Sequence, residues 1–315
     1  MKCFAYAKIN LTLEILFKEG KYHTIASIFQ RVNLYDAINI KVGSEDKIYF
    51  TEPIRKSTST VHKAIELFRE ETSIGKKFEV LIEKNIPMGA GLGGGSSDAA
   101  TTLILLNKLF NNPLSIDKLM ALGAEVGKDV PFFLSGSSTA LVTHFGEIVT
   151  KISALKEFYF VLIHPPFHHK TEEMYQMFDI FGTFSNGTKT QNLTEIIKGE
   201  NHSADYIEKF LYNDFEVMLL NIDSNFSKFK NIAEKATGKN FHLTGSGSTI
   251  FCICSTEDEA KEIAKNNPSE TTSFSNNGIQ NSQQLSKVNK HNLRDYDKKK
   301  DDIFIVRGTD NLVYD

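Results

Sequence analysis

The 315-residue chain is poor in cysteine. It has three, Cys3, Cys252 and Cys254, an odd number with no metal-ligand spacing. Such a set argues against a disulfide framework and suits a reducing cytosol. Cys252 and Cys254 lie two apart in a strand-like run and read as small buried hydrophobes on one face. A dominant charge sign is also missing, since 36 basic side chains stand against 39 acidic ones, net −3. That balance gives no reason to expect nucleic acid or an anionic membrane as partner, and leaves any anionic ligand to be held by local features. No apolar run reaches the roughly 18 to 20 residues that cross a bilayer. The start, Met1-Lys2-Cys3-Phe4-Ala5-Tyr6, lacks the basic segment and continuous apolar core of a secretion signal. Internal repeats are absent. The expectation is a soluble cytoplasmic protein, monomer or homodimer. Its 41% hydrophobic residues suffice for one large or two medium domains.

Residues 4–50 read as strand-rich, with Leu11 to Phe17, Ile28 to Leu34 and Asp36 to Val42 punctuated by Gly20 and Gly43. Val61, Ala64, Ile65, Leu67 and Phe68 recur at helical spacing behind the polar run 57–60, which can supply the N-cap. A strand over Phe78 to Ile82, a helix around Ile116 to Gly127, a hairpin over Gly136 to Ile148 and a strand over Phe158 to His164 follow. Pro165-Pro166 then marks entry to a second lobe. It carries helices near 171–181, 204–221 and 224–236, strands at Phe241 to Leu243 and Ile250 to Cys254, and a charged helix at Glu257 to Asn266. The organisation expected is an N-terminal lobe over 1–150, a C-terminal lobe over 151–266, and a polar, flexible tail over 267–315. Within the tail, Ile303-Phe304-Ile305-Val306 can form one strand that pairs back onto the body.

What the chain has in concentration is glycine. Pro87 to Ala100 holds five glycines and two serines between a strand-like and a helix-like run. Glycine lets the backbone take φ > 0 and press its N–H groups against a ligand. The helix that Asp98 opens favours an anion at its N-terminus. The order strand, glycine loop, helix is a phosphate cradle. Gly89, Gly91 and Gly94 also satisfy the dinucleotide spacing, but the acid that should end a second strand about 20 residues on is missing. The nearest, Asp117, sits in another helical stretch. No Gly-Lys-Ser/Thr follows, which excludes a Walker-type loop.

Other groupings carry weaker signals. Lys8 and Asn10 project from one face of a strand, with Ile9 and Leu11 on the other. On local sequence alone the same pattern fits an exposed edge strand. Asp129, between Gly127 and an apolar segment, can accept a hydroxyl proton if a cation such as Lys8 keeps it ionised, or can simply cap a turn. Thr244-Gly245-Ser246-Gly247-Ser248 offers a second set of bare N–H groups or an ordinary hairpin turn. His23, His168 and His169 share no metal-ligand spacing, and no zinc is expected.

In order and spacing, 7–11, Gly20 to His23, Pro87 to Ala100, Gly127 to Phe133, Asn213 to Glu216 and Gly245 to Ser248 together closely resemble the GHMP kinase superfamily. The likeness spans roughly residues 1–265. The long run Gly91 to Ala100 is similar to the branch acting on a cytidine-diphosphate-linked methylerythritol in the non-mevalonate isoprenoid route. The resemblance implies an α+β, two-lobed fold with the active site in the cleft between lobes. It implies ATP-dependent phosphorylation of the substrate's 2-hydroxyl, with ATP as co-substrate and Mg²⁺ bridging its phosphates. ATP would lie on Pro87, Gly89, Gly91, Leu92, Gly93, Gly94, Gly95, Ser96, Ser97 and Asp98, with Ser97 a candidate metal ligand. Lys8 and Asp129 match the catalytic pair. Asn10 would touch the polyol, and His23 would hydrogen-bond the cytosine edge. One helical turn puts Thr171 and Tyr175 on the same face, and Tyr175 would stack on cytosine opposite Tyr22. Gly245 and Ser246 would approach the phosphates from the C-terminal lobe. The alternatives are a GHMP kinase for mevalonate or homoserine, and a silent nucleotide-binding module. Gly20-Lys21 replaces the Asp-Gly usual before Tyr-His, and Lys128 replaces a small residue. A cation at 128 either lowers the pKa of Asp129 or reaches a phosphate.

Overall fold

Two long antiparallel strands, β1 (Lys2–Glu19) and β2 (Tyr22–Gly43), form the spine of the molecule. The computed structural model describes residues 1–51, 59–153, 155, 158–167, 169–199, 202–266 and 302–309. The two strands stay in register from Lys2↔Asn39 to Glu19↔Tyr22, with irregularities between Tyr6 and Ala7, Asn10 and Thr12, and Ile15 and Phe17. Bulges of this kind bend a strand and re-aim its side chains, so one hairpin serves more than one core.

Around the hairpin lie β3 (Lys47–Phe50), β4 (Lys77–Glu83), β5 (Thr139–His144), β6 (Ile148–Lys151) and the two-residue β8 (Tyr212–Asn213). They complete a seven-stranded sheet in the order β3-β4-β2-β1-β8, with β5 paired to β2 and β6 to β5. On its face pack α1 (Thr60–Thr72), α2 (Gly94–Leu109), α3 (Ile116–Val126) and α4 (Val130–Leu134), burying Phe29, Phe68, Phe78 and Phe132. Ser59 caps α1 by accepting from the Val61 N–H.

A second, four-stranded sheet is formed by β11 (Asp302–Arg307), β7 (Tyr159–His164), β10 (Ile250–Cys254) and β9 (His242–Leu243), in that order. It packs with α5 (Thr171–Phe181), α8 (Asp214–Ile222) and α9 (Ser224–Thr237) against Leu13, Ile15 and Ile25 of the long hairpin. α6 (Thr188–Lys198), α7 (Ala204–Glu208) and α10 (Glu257–Lys265) complete the chain. Cys252 and Cys254 are both buried in β10. The fold is the expected α+β arrangement.

Three local expectations change. The helix read over 204–221 is two helices separated by β8, because Tyr212 and Asn213 add in parallel to Thr12 and Leu13 of β1. There the Asn213 side chain caps α8 by accepting from the Phe215 N–H at 2.9 Å. α6 was not anticipated; its sequence is mostly polar, and it buries Thr190 and Thr194 beside Leu193 and Ile197. α2 begins at Gly94 rather than Asp98, since Gly93 turns the chain with φ 71°. The expectation for 267–300 lies outside the described residues. The strand read at 303–306 is β11, which pairs with β7 from Asp302↔His164 to Arg307↔Tyr159.

Candidate active site

Lys8 and Asn10 sit on one face of β1, and neither is an edge residue: they are 3% and 2% exposed. Local sequence could not exclude an edge because β1 is flanked by β2 along most of its length and by β8 near Thr12 only through a distant segment. The Lys8 Nζ donates to Asn10 Oδ1 at 2.6 Å and to the Gly91 carbonyl at 3.0 Å. It lies 4.7 Å from the centre of the Phe29 ring and 3.8 Å from Asp129 Oδ2. Burial lowers the pKa of the Lys8 ammonium from its ordinary value, opposed by the Asp129 carboxylate. Asp129 is set at the start of α4, where Val130 and Pro131 turn inward, and its side chain is a third exposed. A buried cation thus stands beside a carboxylate that a substrate can reach.

Asn10 is held at both ends of its amide. Its Nδ2 donates to Ser27 Oγ at 2.9 Å, and its Oδ1 accepts from Lys8 and from Thr244 Oγ1. Thr244 also accepts the Asn10 backbone N–H at 2.9 Å. It opens the second glycine turn, so the two glycine segments meet over Lys8. Gly91, Gly93 and Gly245 all have φ > 0, at 78°, 71° and 59°. A Cβ on Gly93 would lie 3.0 Å from Phe133 and 3.1 Å from Lys8. Lack of side chains at these positions is what lets both loops close on one another.

The second turn is anchored from behind. Asn213 Nδ2 donates to the Leu243 and Gly245 carbonyls, both at 2.9 Å. Glu216 accepts the Leu243 N–H at 2.5 Å, and Asp214 accepts the Ile15 N–H at 2.6 Å. The Asn213 to Glu216 motif is therefore a brace between β1, α8 and the turn. Thr171 Oγ1 and Ser246 Oγ are 2.9 Å apart. His169 bridges Ser248 Oγ and Asp223 Oδ2, each at 2.9 Å.

A cleft of about 460 Å³ opens over these groups. Of the expected nucleotide positions, Pro87, Gly89, Gly91, Leu92, Gly93, Gly94, Gly95, Ser96 and Asp98 line it, and Ser97 does not. Ser97 is instead 1% exposed within the first turn of α2. Lys8, Asn10, Asp129, Thr171, Tyr175, Gly245 and Ser246 line the same cleft. Tyr22 and His23 stand outside its lining. His23 stacks on Tyr175 at 4.8 Å and 18°, and its Nε2 is 2.7 Å from Asp179 Oδ1. Tyr175 in turn packs edge-on against Phe215 at 5.0 Å. Tyr22 points the other way, as alternate strand residues do, and rests on Phe145 at 5.3 Å. The ring partner of Tyr175 is thus His23, where Tyr22 was expected opposite it.

Sequence reasoning missed Lys84. At the end of β4 its ammonium bonds Asp36 and, at 2.8 Å, Asp98 Oδ2, just past the first turn of α2. Asp36 Oδ1 also accepts the Asn85 and Ile86 N–H groups at 2.6 and 2.8 Å. Burial pushes the Asp98 carboxyl up, against the pull of Lys84. Its Oδ1 is buried without a hydrogen-bond partner. The only signal was a lysine placed just before the glycine loop, and its partners lie 48 residues upstream and 14 downstream.

Residues 59–137 match the family described as GHMP kinases N terminal domain, and 194–271 the one described as GHMP kinases C terminal. The chain is 34% identical over 275 residues to a 4-diphosphocytidyl-2-C-methyl-D-erythritol kinase of Thermodesulfovibrio yellowstonii, covering 84% of this chain and 93% of the relative. It is 36% identical over 266 residues to the protein of the same name from Carboxydothermus hydrogenoformans, covering 84% and 91%. A crystal structure of a 4-(cytidine 5'-diphospho)-2C-methyl-D-erythritol kinase superposes with TM-score 0.68 at 27% identity, over 84% of this chain and 94% of that one. A mevalonate kinase structure, 17% identical over 98% of both chains with TM-score 0.66, shares the fold alone. With about a third of its residues identical to such relatives across most of both lengths, the chain belongs to the 4-diphosphocytidyl-2-C-methyl-D-erythritol kinase family of GHMP kinases.

Proposed function

We propose that the chain transfers the γ-phosphoryl group of ATP to the 2-hydroxyl of 4-diphosphocytidyl-2-C-methyl-D-erythritol, giving the 2-phosphate and ADP, a step of the non-mevalonate route to isoprenoid precursors. The observation that carries this reading is the Lys8–Asp129 pair, 3.8 Å apart, in the same cleft as the glycine loop. Phosphoryl transfer asks chiefly for positioning and charge neutralisation. Asp129 accepts the hydroxyl proton and orients the oxygen for attack. Lys8 pairs with that carboxylate and offsets charge that develops on the transferring group. Asn10 fixes the Lys8 ammonium, a role added to the polyol contact expected of it. The bare N–H groups of 88–95 and the start of α2 cradle the triphosphate, while Gly245 and Ser246 close over it.

Magnesium enters this reading with the nucleotide. Such an ion keeps several waters and is bound through one or two carboxylates plus substrate phosphates. The unpartnered Asp98 Oδ1 at the cleft wall suits that need, whereas Ser97 stands off the lining. Bound there, Mg²⁺ would neutralise phosphate charge. The His23–Tyr175 wall favours a substrate with a base, and mevalonate and homoserine have none to stack. A coupled ADP-release assay comparing the three alcohols tests the reading. Turnover of the cytidine-linked substrate alone is expected, and none above background with it overturns the assignment.

A further inference from the structure

Between the end of β7 and the start of α5, His164, His169 and Thr171 each reach a hydroxyl among Ser246 to Thr249. Thr171 Oγ1 meets Ser246 Oγ at 2.9 Å, and both residues line the cleft. His169 Nδ1 lies 2.9 Å from Ser248 Oγ, and His164 Nδ1 lies 3.1 Å from Thr249 Oγ1. The His169 link is anchored on its far side as well. Its Nε2 is 2.9 Å from Asp223 Oδ2, and the other oxygen of that carboxylate accepts the Asn225 and Phe226 N–H groups at 2.9 and 3.1 Å at the start of α9. A carboxylate only accepts, so it fixes the ring hydrogen on Nε2 and, in the neutral imidazole, leaves Nδ1 to accept the Ser248 hydroxyl. Phe167 meets the His169 ring edge-on at 5.8 Å and Phe229 of α9 at 5.7 Å, so packing holds the imidazole too.

The bonds are shielded. Ser248 is 0% exposed, and the His169 and Asp223 side chains are 12% and 7% exposed, so water competes little for either bond. Ser248 does not line the cleft, so this Ser-His-Asp chain presents no nucleophile to a substrate. What it reaches is the backbone of the turn. We infer that His169 is a positioning residue for phosphoryl transfer: it ties the second glycine turn to the start of α9 and sets how Gly245 and Ser246 close over the nucleotide phosphates. The Thr171–Ser246 bond carries the same turn to α5, whose Tyr175 forms the base wall. Transfer depends on where the phosphates are held, so loosening the turn acts on kcat rather than on the grip of the base.

The inference rests on the functional reading above, and the first arm of its test needs no substrate. Amide hydrogen exchange over 244–249 is compared in purified full-length wild type, His169→Gln, His169→Asn and Ser248→Ala. An Asn amide reaches where Nδ1 stands and keeps the Ser248 bond; a Gln amide reaches where Nε2 stands and keeps only the Asp223 bond. Exchange should quicken in the Gln and Ala variants and stay at the wild-type rate in Asn. In the second arm kcat should fall about tenfold, the scale of one lost hydrogen bond, in His169→Gln, in Ser248→Ala and in the two combined. The KM for the cytidine-linked substrate should stay unchanged, and His169→Asn should keep its kcat. Wild-type exchange and kcat in Ser248→Ala overturn the inference. So does an equal loss in the Asn and Gln variants, or a combined loss equal to the product of the single ones, which would mean that the two residues act separately. A wild type that does not turn over the cytidine-linked substrate overturns the functional reading, and the exchange arm then still decides whether His169 holds the turn.

Discussion

Gly91 and Thr244 face each other so closely that a Cβ on Gly91 would lie 2.3 Å from the Thr244 carbonyl oxygen. The relation is reciprocal, since a Cβ on Gly245 would lie 2.8 Å from the Gly91 carbonyl oxygen. The Gly91 carbonyl in turn receives the Lys8 ammonium. The two glycine turns therefore form a single backbone-on-backbone joint that fixes the Lys8 ammonium.

Gly91→Ala is expected to break that joint, because backbone stands on the far side of the contact and φ is 78°. Strain of this kind costs about 1 to 3 kcal/mol. Thermal melts should show the loss, with phosphoryl transfer falling further than stability alone explains. A variant with wild-type melting and turnover would contradict the joint.

Lys8→Met should separate activity from stability. It removes a buried ammonium whose desolvation is unfavourable and leaves behind an Asp129 carboxylate that water can reach. Turnover is expected to drop at least about a hundredfold, the scale of a lost charge-stabilising group. Denaturant unfolding should change by no more than about 1 kcal/mol. Severe unfolding would show Lys8 to be a structural ion instead.

Tyr175→Ala should weaken binding of the cytidine-linked substrate by about 1 to 3 kcal/mol, the range for a base stacked on an aromatic. The KM for ATP should be unaffected. An unchanged substrate affinity would remove the stacking role from the His23–Tyr175 wall.

His242, half-buried in β9 with its Nε2 shut away from solvent, gives a pH dependence unrelated to catalysis. Burial, with the Lys230 charge adding to it, lowers its pKa to about 4, and its Nε2 has no hydrogen-bond partner. The unfolded imidazole, near pKa 6.5, takes up a proton that the folded one refuses, so stability falls as pH drops from about 6.5 towards 4. Between pH 7 and 5 this group should account for roughly 2 kcal/mol of lost stability. Urea unfolding of wild type and His242→Gln at both pH values checks it. An equal pH loss in the variant would rule it out.

Much of the cradle was legible because its signals are local: glycines, a strand before them, a helix after. The shared face of Lys8 and Asn10 follows from strand alternation, and that of Thr171 and Tyr175 from one helical turn. Burial of Lys8 was not legible, because it depends on Asn10, Gly91 and Asp129 arriving from separate segments. Nor was the break between α7 and α8. It is imposed by the pairing of Tyr212 and Asn213 with β1, a tertiary contact that outweighs helical spacing. The Asp36–Lys84–Asp98 cluster left no pattern for the same reason. The turning away of Tyr22 from Tyr175 follows from its alternation with His23 along β2, which sets it against Phe145 in the turn between β5 and β6.

The most direct test is the turnover of Asp129→Asn with ATP and 4-diphosphocytidyl-2-C-methyl-D-erythritol, measured beside wild type by ADP release, with ATP affinity determined separately. The account predicts 2-phosphorylated product from wild type and a fall of at least about a hundredfold in the variant, the lower range for a lost positioned base, with ATP affinity retained. Near-wild-type turnover by the variant would contradict it and leave Asp129 only as the residue that precedes α4.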